Sequence, residues 1–117
     1  MHGIKKMNKA IRILRDYVNK DINIDQLAIL LHLADNEPEP VSYSTLSKLM
    51  DNSKASISRN IEMLSGHYLK DPITGEWVDT GLGLVKTSPS SHDSEDCVVF
   101  LTCRGTKVVW ILNELIK

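Results

Sequence analysis

Between positions 53 and 60 the chain carries Ser53, Lys54, Ser56, Ser58, Arg59 and Asn60. These are short hydroxyls, one amide and two cations on a segment with helical spacing. Serine hydroxyls and a helix N-terminus bind phosphate oxygens. Arginine can take guanine bidentately, and asparagine can take adenine. Small residues at a helix start also let the backbone approach a partner. A helix that only faces water is usually built from Glu, Lys and Gln, so a serine-rich face gives up helix propensity. The plain competing reading is that Ser53 only caps the helix and the other serines are neutral surface.

Such a face needs a helix held from behind. Ile57, Ile61 and Leu64 recur at steps of four and three and supply its apolar side. Ser53 caps its start, and Gly66 is placed to end it. Before it, Ser42 caps a short helix over 43–50 with Leu46, Leu49 and Met50 inward, and Asp51-Asn52 turns the chain. The pair reads as a helix-turn-helix.

Upstream, Ile4, Met7, Ile11, Leu14 and Val18 make one apolar stripe on a basic helix. A second helix opens at Ile24-Asp25, capped by Asn23 or Asp25. Its expected buried stripe is Leu27, Leu30, Leu31 and Ala34, widened by Ile29 and Leu33. Pro38 and Pro40 end it. Downstream, 67–82 holds turn signals with Trp77 and Val78 as a short strand between them, a specialised contact surface or a disordered insertion. Strands over 84–87 and 97–102 flank the polar tip 88–94 as a hairpin. A last helix begins at Thr102 or Arg104, with Val108, Val109, Ile111, Leu112, Leu115 and Ile116 apolar.

The chain has 117 residues, 42% of them hydrophobic and 25% charged, which suits a single globular domain with one core. The parts expected are a helix at 1–20 whose stripe lines the domain's own core or packs against a partner chain, a helical core at 23–66, a turn-rich segment at 67–82, a hairpin at 83–102 and a C-terminal helix at 103–117. No apolar run spans a bilayer, and no cleavable apolar segment follows the basic N-terminus, so the expected compartment is cytoplasmic, with no membrane partner. Cys97 and Cys103 on one strand would stand roughly 20 Å apart at ~3.3 Å per residue, too far for a disulfide, which needs Cα atoms within about 7 Å. Cys103, beside Arg104, is the better candidate for a reactive thiol. The net charge of −1 counts against a simple DNA-binding reading. Its distribution does not. The N-terminal segment and the middle around Lys48, Lys54, Arg59 and Lys70 are basic, and attraction to phosphate acts within about a Debye length, ~8 Å.

From Ile24 to Leu64 the chain resembles the MarR-type winged-helix regulators, of which the SarA-like proteins are a similar short variant. The likeness lies in Leu27-Ala-Ile-Leu-Leu-His-Leu, in Ser53-Lys-Ala-Ser-Ile-Ser-Arg59, in Gly83-Leu-Val-Lys86 and in Leu101-Thr-Cys-Arg-Gly105. It implies a mainly α fold with a small β-hairpin, a winged helix-turn-helix, and makes 1–20 a dimerisation helix, 67–82 an insertion and 83–102 a wing. It also implies sequence-specific binding to double-stranded DNA by a homodimer, with helix 53–65 in the major groove and half-sites ~34 Å apart. The residues expected at DNA are Ser42, Ser44, Thr45, Ser53, Lys54, Ser56, Ser58, Arg59, Asn60, Lys86, Ser90, Ser91 and His92. Those expected at the dimer interface are Ile4, Met7, Ile11, Leu14, Val18, Val108, Ile111, Leu112 and Leu115. One departure is plain: the family's wing carries Asp-x-Arg, and here Asp93-Ser94-Glu95 places a carboxylate where the arginine is expected.

No Gly-rich phosphate loop, nucleophile elbow or paired carboxylates appear, so neither an enzyme nor a cofactor is expected. His2, His32, His67 and His92 lack metal-ligand spacing, so no metal site is expected. His32 reads as a packed residue. The rival function is a winged helix that binds protein without specific DNA binding, favoured by the net charge and Glu95.

Overall fold

The computed structural model describes residues 1–66, 68–90 and 96–117. Helix α1 (His2–Ile13) passes into a π-helical turn (Leu14–Val18). Then follow α2 (Ile24–Asp35), β1 (Val41–Ser42), α3 (Tyr43–Met50) and α4 (Lys54–Leu64). Strands β2 (Tyr68–Lys70), β3 (Trp77–Asp79), β4 (Val85–Pro89) and β5 (Cys97–Leu101) precede α5 (Cys103–Ile116). The mainly helical winged helix expected from the sequence is observed.

The caps act locally. Asn23 closes a capping box on α2: its side chain accepts from Gln26 N at 2.8 Å, and Gln26 Oε1 accepts from Asn23 N at 3.2 Å. Ser42, Ser53 and Thr102 cap α3, α4 and α5 through their hydroxyls. Each satisfies a backbone N–H that the helix cannot.

One core holds the helix-turn-helix to the sheet: Ile29, Leu30, Leu33, Val41, Leu46, Ile57, Ile61, Leu64, Leu84, Val85 and Val99. Burying a side chain of this size stabilises by about 1.5–3 kcal/mol. The buried side of α2 is turned from the expected stripe. Ile29, Leu30 and Leu33 face the core, Leu27 and Ala34 are half-buried, and Leu31 is 47% exposed. Both sides of α2 are apolar, so its pattern alone did not choose between them. Leu49 is likewise exposed instead of inward, because α3 needs only Leu46 and part of Met50 against α4.

The sheet has the order β1-β5-β4 and is antiparallel. Strand β1, not expected from the sequence, has two residues and pairs Val41 with Val99. The segment after α4 forms a second hairpin. Leu69 pairs with Val78 and Lys70 with Trp77, and Asp71 shapes the turn by accepting from Ile73 N and Thr74 N. Those backbone donors hold the Asp71 carboxyl below its usual range. Leu69, Ile73, Trp77 and Val78 are exposed on this hairpin. Leu82 N, Gly83 N and Leu84 N donate to Met63 O, Ser65 O and Leu64 O, so its return leg satisfies carbonyls at the end of α4. Gly83 takes the positive φ of 68° that this return requires.

Helices α1 and α5 pack on each other through Ala10, Leu14 and Leu112, with Val18, Val108 and Leu115 around them. Leu14 and Leu112 are therefore interior residues of one chain and offer no surface to a partner. Ile4, Met7, Ile11 and Ile111 remain exposed.

Candidate nucleic-acid interface

Helix α3 ends in a turn whose Asp51 adopts a left-handed conformation, φ 51° and ψ 44°. Aspartate tolerates that region better than most residues. Ser47 Oγ donates to Asn52 O across the turn. Helix α4 then starts at Lys54, with Ser53 Oγ accepting from Ser56 N at 3.1 Å.

Ile57, Ile61 and Leu64 are buried under α4, which turns Lys54, Ala55, Ser58, Arg59 and Glu62 outward. Lys54, Ser58 and Glu62 follow one another at four-residue steps, and Ala55 and Arg59 form a parallel row. The small Ala55 and Ser58 leave Lys54 and Arg59 projecting. Ser53 is exposed at the start, and Ser56 is half-buried at the flank.

Asn60 does not join this face. Its Nδ2 donates to Ser56 O at 3.2 Å, and its Oδ1 accepts from Asn23 Nδ2 at 3.4 Å. The amide expected to read adenine instead ties α4 to the cap of α2, because position 60 lies beside the buried row of Ile57 and Ile61. Ser44 is also engaged: its Oγ donates to Asp96 Oδ2 at 2.8 Å.

A cleft of about 720 Å³ separates the start of α3 from the wing. Ser42, Thr45, Ser88, Ser90 and Asp96 are among its lining residues. Ser42 Oγ accepts from Thr45 N at 3.0 Å and donates to Thr45 Oγ1 at 2.8 Å, so its hydroxyl is committed to the cap. Lys86 is exposed on β4 opposite Phe100. Ser91, His92 and Glu95 lie outside the described residues. Sequence reasoning missed Glu62, Ser88 and Asp96. Glu62 could have been found from its place one turn beyond Ser58, whereas Asp96 carried no local signal.

Among the described residues, no group of three His, Cys, Asp or Glu side chains is placed to hold a metal ion. Among them, too, no helix is long and apolar enough to cross a membrane. Cys97 and Cys103 are free thiols, half-buried and exposed respectively.

This architecture recurs in known structures. A mutant MepR from a multidrug resistant Staphylococcus aureus clinical isolate superposes with a TM-score of 0.69 at 16% identity, over 96% of this chain and 68% of its own. The fold is that of the MarR-type regulators. The transcriptional regulator Tm0710 of Thermotoga maritima gives 0.67 at 18% identity, over 97% of this chain and 66% of its own. A mutant MarR of E. coli complexed with operator DNA gives 0.60 at 18%, over 97% and 69%. This chain thus spans about two thirds of the length of these MarR-type structures. No family model matches the sequence, and no curated protein matches it.

Proposed function

We propose that this protein is a sequence-specific double-stranded DNA-binding transcriptional regulator that inserts α4 into the major groove. The observation that carries the reading is the outward face of α4: Lys54, Ser58 and Arg59 project from a capped helix whose other side is anchored by Ile57, Ile61 and Leu64. Arg59 is the residue for a base edge, and Lys54 and Ser58 suit phosphates. Ser53, Ser56, Thr45, Lys86 and Ser90 support the same surface. The likeness to a MarR bound to operator DNA favours this use of the fold.

In this reading the chain works as a homodimer through residues 1–20 and 103–117. Ile4, Met7, Ile11 and Ile111 are the exposed apolar groups available to a second copy. The rival, a winged helix that binds protein without specific DNA contacts, is favoured by Glu62 on the α4 face and by the net charge of −1.

Binding to random duplex DNA across a salt series, followed by selection from a random DNA pool, tests the reading. Affinity that falls steeply with salt and a recovered palindromic motif are expected. Salt-independent binding, or a pool that yields no motif, would favour the protein-binding rival.

A further inference from the structure

The carboxylate of Asp96 joins the wing to the first helix of the helix-turn-helix. Asp96 is only 9% exposed. Its Oδ2 accepts from Ser44 Oγ at 2.8 Å, which ties the base of the wing to the first turn of α3. Its Oδ1 accepts from Cys97 N at 2.9 Å, and its backbone carbonyl accepts from Ser90 N at 3.0 Å across the wing. Lys54, the first residue of α4, acts on the same carboxylate through its charge. Burial pushes this carboxyl's pKa up, but Ser44, Cys97 and Lys54 together more than offset that and hold it below the usual range. The site is thus built around the ionised form.

An anion beside a DNA-facing surface opposes phosphates, so it lowers general affinity for nucleic acid. What it supplies is geometry. We propose that Asp96 is a positioning residue for DNA site selection: it holds the base of the wing and the start of α3 in one fixed relation, without touching DNA. This rests on the DNA-binding reading above. It is separate from the family's wing motif, which falls on Asp93 to Glu95.

A residue that only stabilised the fold would lower all affinities together. A positioning residue lowers discrimination while general affinity is kept. The test compares full-length wild type, Asp96→Asn and Ser44→Ala on the duplex selected by the wild type and on random duplex, with thermal melts alongside. Asp96→Asn is expected to bind random duplex as well as wild type or better, and the selected site about tenfold less tightly. Ser44→Ala keeps the charge and the Cys97 contact, and should lower discrimination with random-duplex binding unchanged. If Asp96→Asn fails to fold, Ser44→Ala decides alone. A ratio of selected to random affinity within about twofold of wild type overturns the inference. So does a parallel loss of both affinities that tracks the melting temperature. A wild type that selects a site while its variants keep the ratio sinks this inference only; a wild type with no salt-dependent duplex binding sinks the DNA reading with it.

Discussion

The backbone carbonyl of Leu84 fills the place where a Cβ on Gly105 would stand. Helix α5 thereby seats directly on the base of the wing. Thr102 completes the joint: its Oγ1 donates to Gly83 O at 2.7 Å and accepts from Gly105 N at 3.0 Å, and its N donates to Leu84 O at 3.0 Å. The wing and α5 therefore share a rigid root.

Gly105→Ala should lower stability by about 1–3 kcal/mol, because the obstructing atom is backbone and cannot swing aside like a side-chain tip. Gly3→Ala meets nothing within 4 Å and serves as the neutral control. Urea unfolding of both variants checks this, and equal stabilities would contradict the close approach.

Arg59→Ala should weaken binding to a selected site by about 1–3 kcal/mol, whereas Lys54→Ala should weaken all duplexes alike and reduce the salt slope by about 1. Titrations at several salt concentrations separate the two. An Arg59→Ala protein that folds and binds with unchanged affinity would remove α4 from sequence reading.

Asn23→Ala removes the capping box of α2 and the contact to Asn60, and is expected to destabilise the fold by about 0.5–2 kcal/mol. Asn60→Ala should also act on stability and leave DNA discrimination intact, since its amide faces α2. A loss of discrimination with unchanged melting would place Asn60 back at the groove.

The α1 and α5 residues divide by role. Leu112→Ala should cost about 2–5 kcal/mol of folding stability, because Leu112 is buried in one cluster with Ala10 and Leu14 inside one chain. Met7→Asp or Ile11→Asp should leave the monomer folded but shift light-scattering mass from dimer to monomer, as both are exposed. A wild type that scatters as a monomer at tens of micromolar concentration, on the order of working assays, would end the dimer proposal.

Asp96 gives stability a pH dependence of known sign. Its carboxyl is held below the usual range in the folded chain, so the stabilisation is present above the unfolded carboxyl pKa of about 3.9. It is lost as pH falls through the folded value. Wild type should therefore lose stability faster than Asp96→Asn as pH drops below about 4. Denaturant midpoints between neutral and acid pH check this; parallel curves would show that the carboxylate is not held.

What the sequence alone determined was local. The Ser42 and Ser53 caps, the turn at Asp51-Asn52 and the buried row of Ile57, Ile61 and Leu64 depend on residues a few positions apart and were legible, while the cap of α2 was narrowed to Asn23 or Asp25, of which the structure uses Asn23. The exposed Lys54, Ser58 and Arg59 followed from that row by helical geometry. Tertiary packing decided what local spacing could not. Both sides of α2 are apolar, and only the core chose Ile29 and Leu33 over Leu31. Asn60 fits a groove-reading pattern, yet Asn23, 37 residues earlier, takes its amide. Ser44 and Asp96 meet across 52 residues, and β1 is a strand only because β5 lies beside it. The surface that could meet DNA was readable because a helix repeats over short distances. The joints that aim it were not, because they form between segments brought together only by folding.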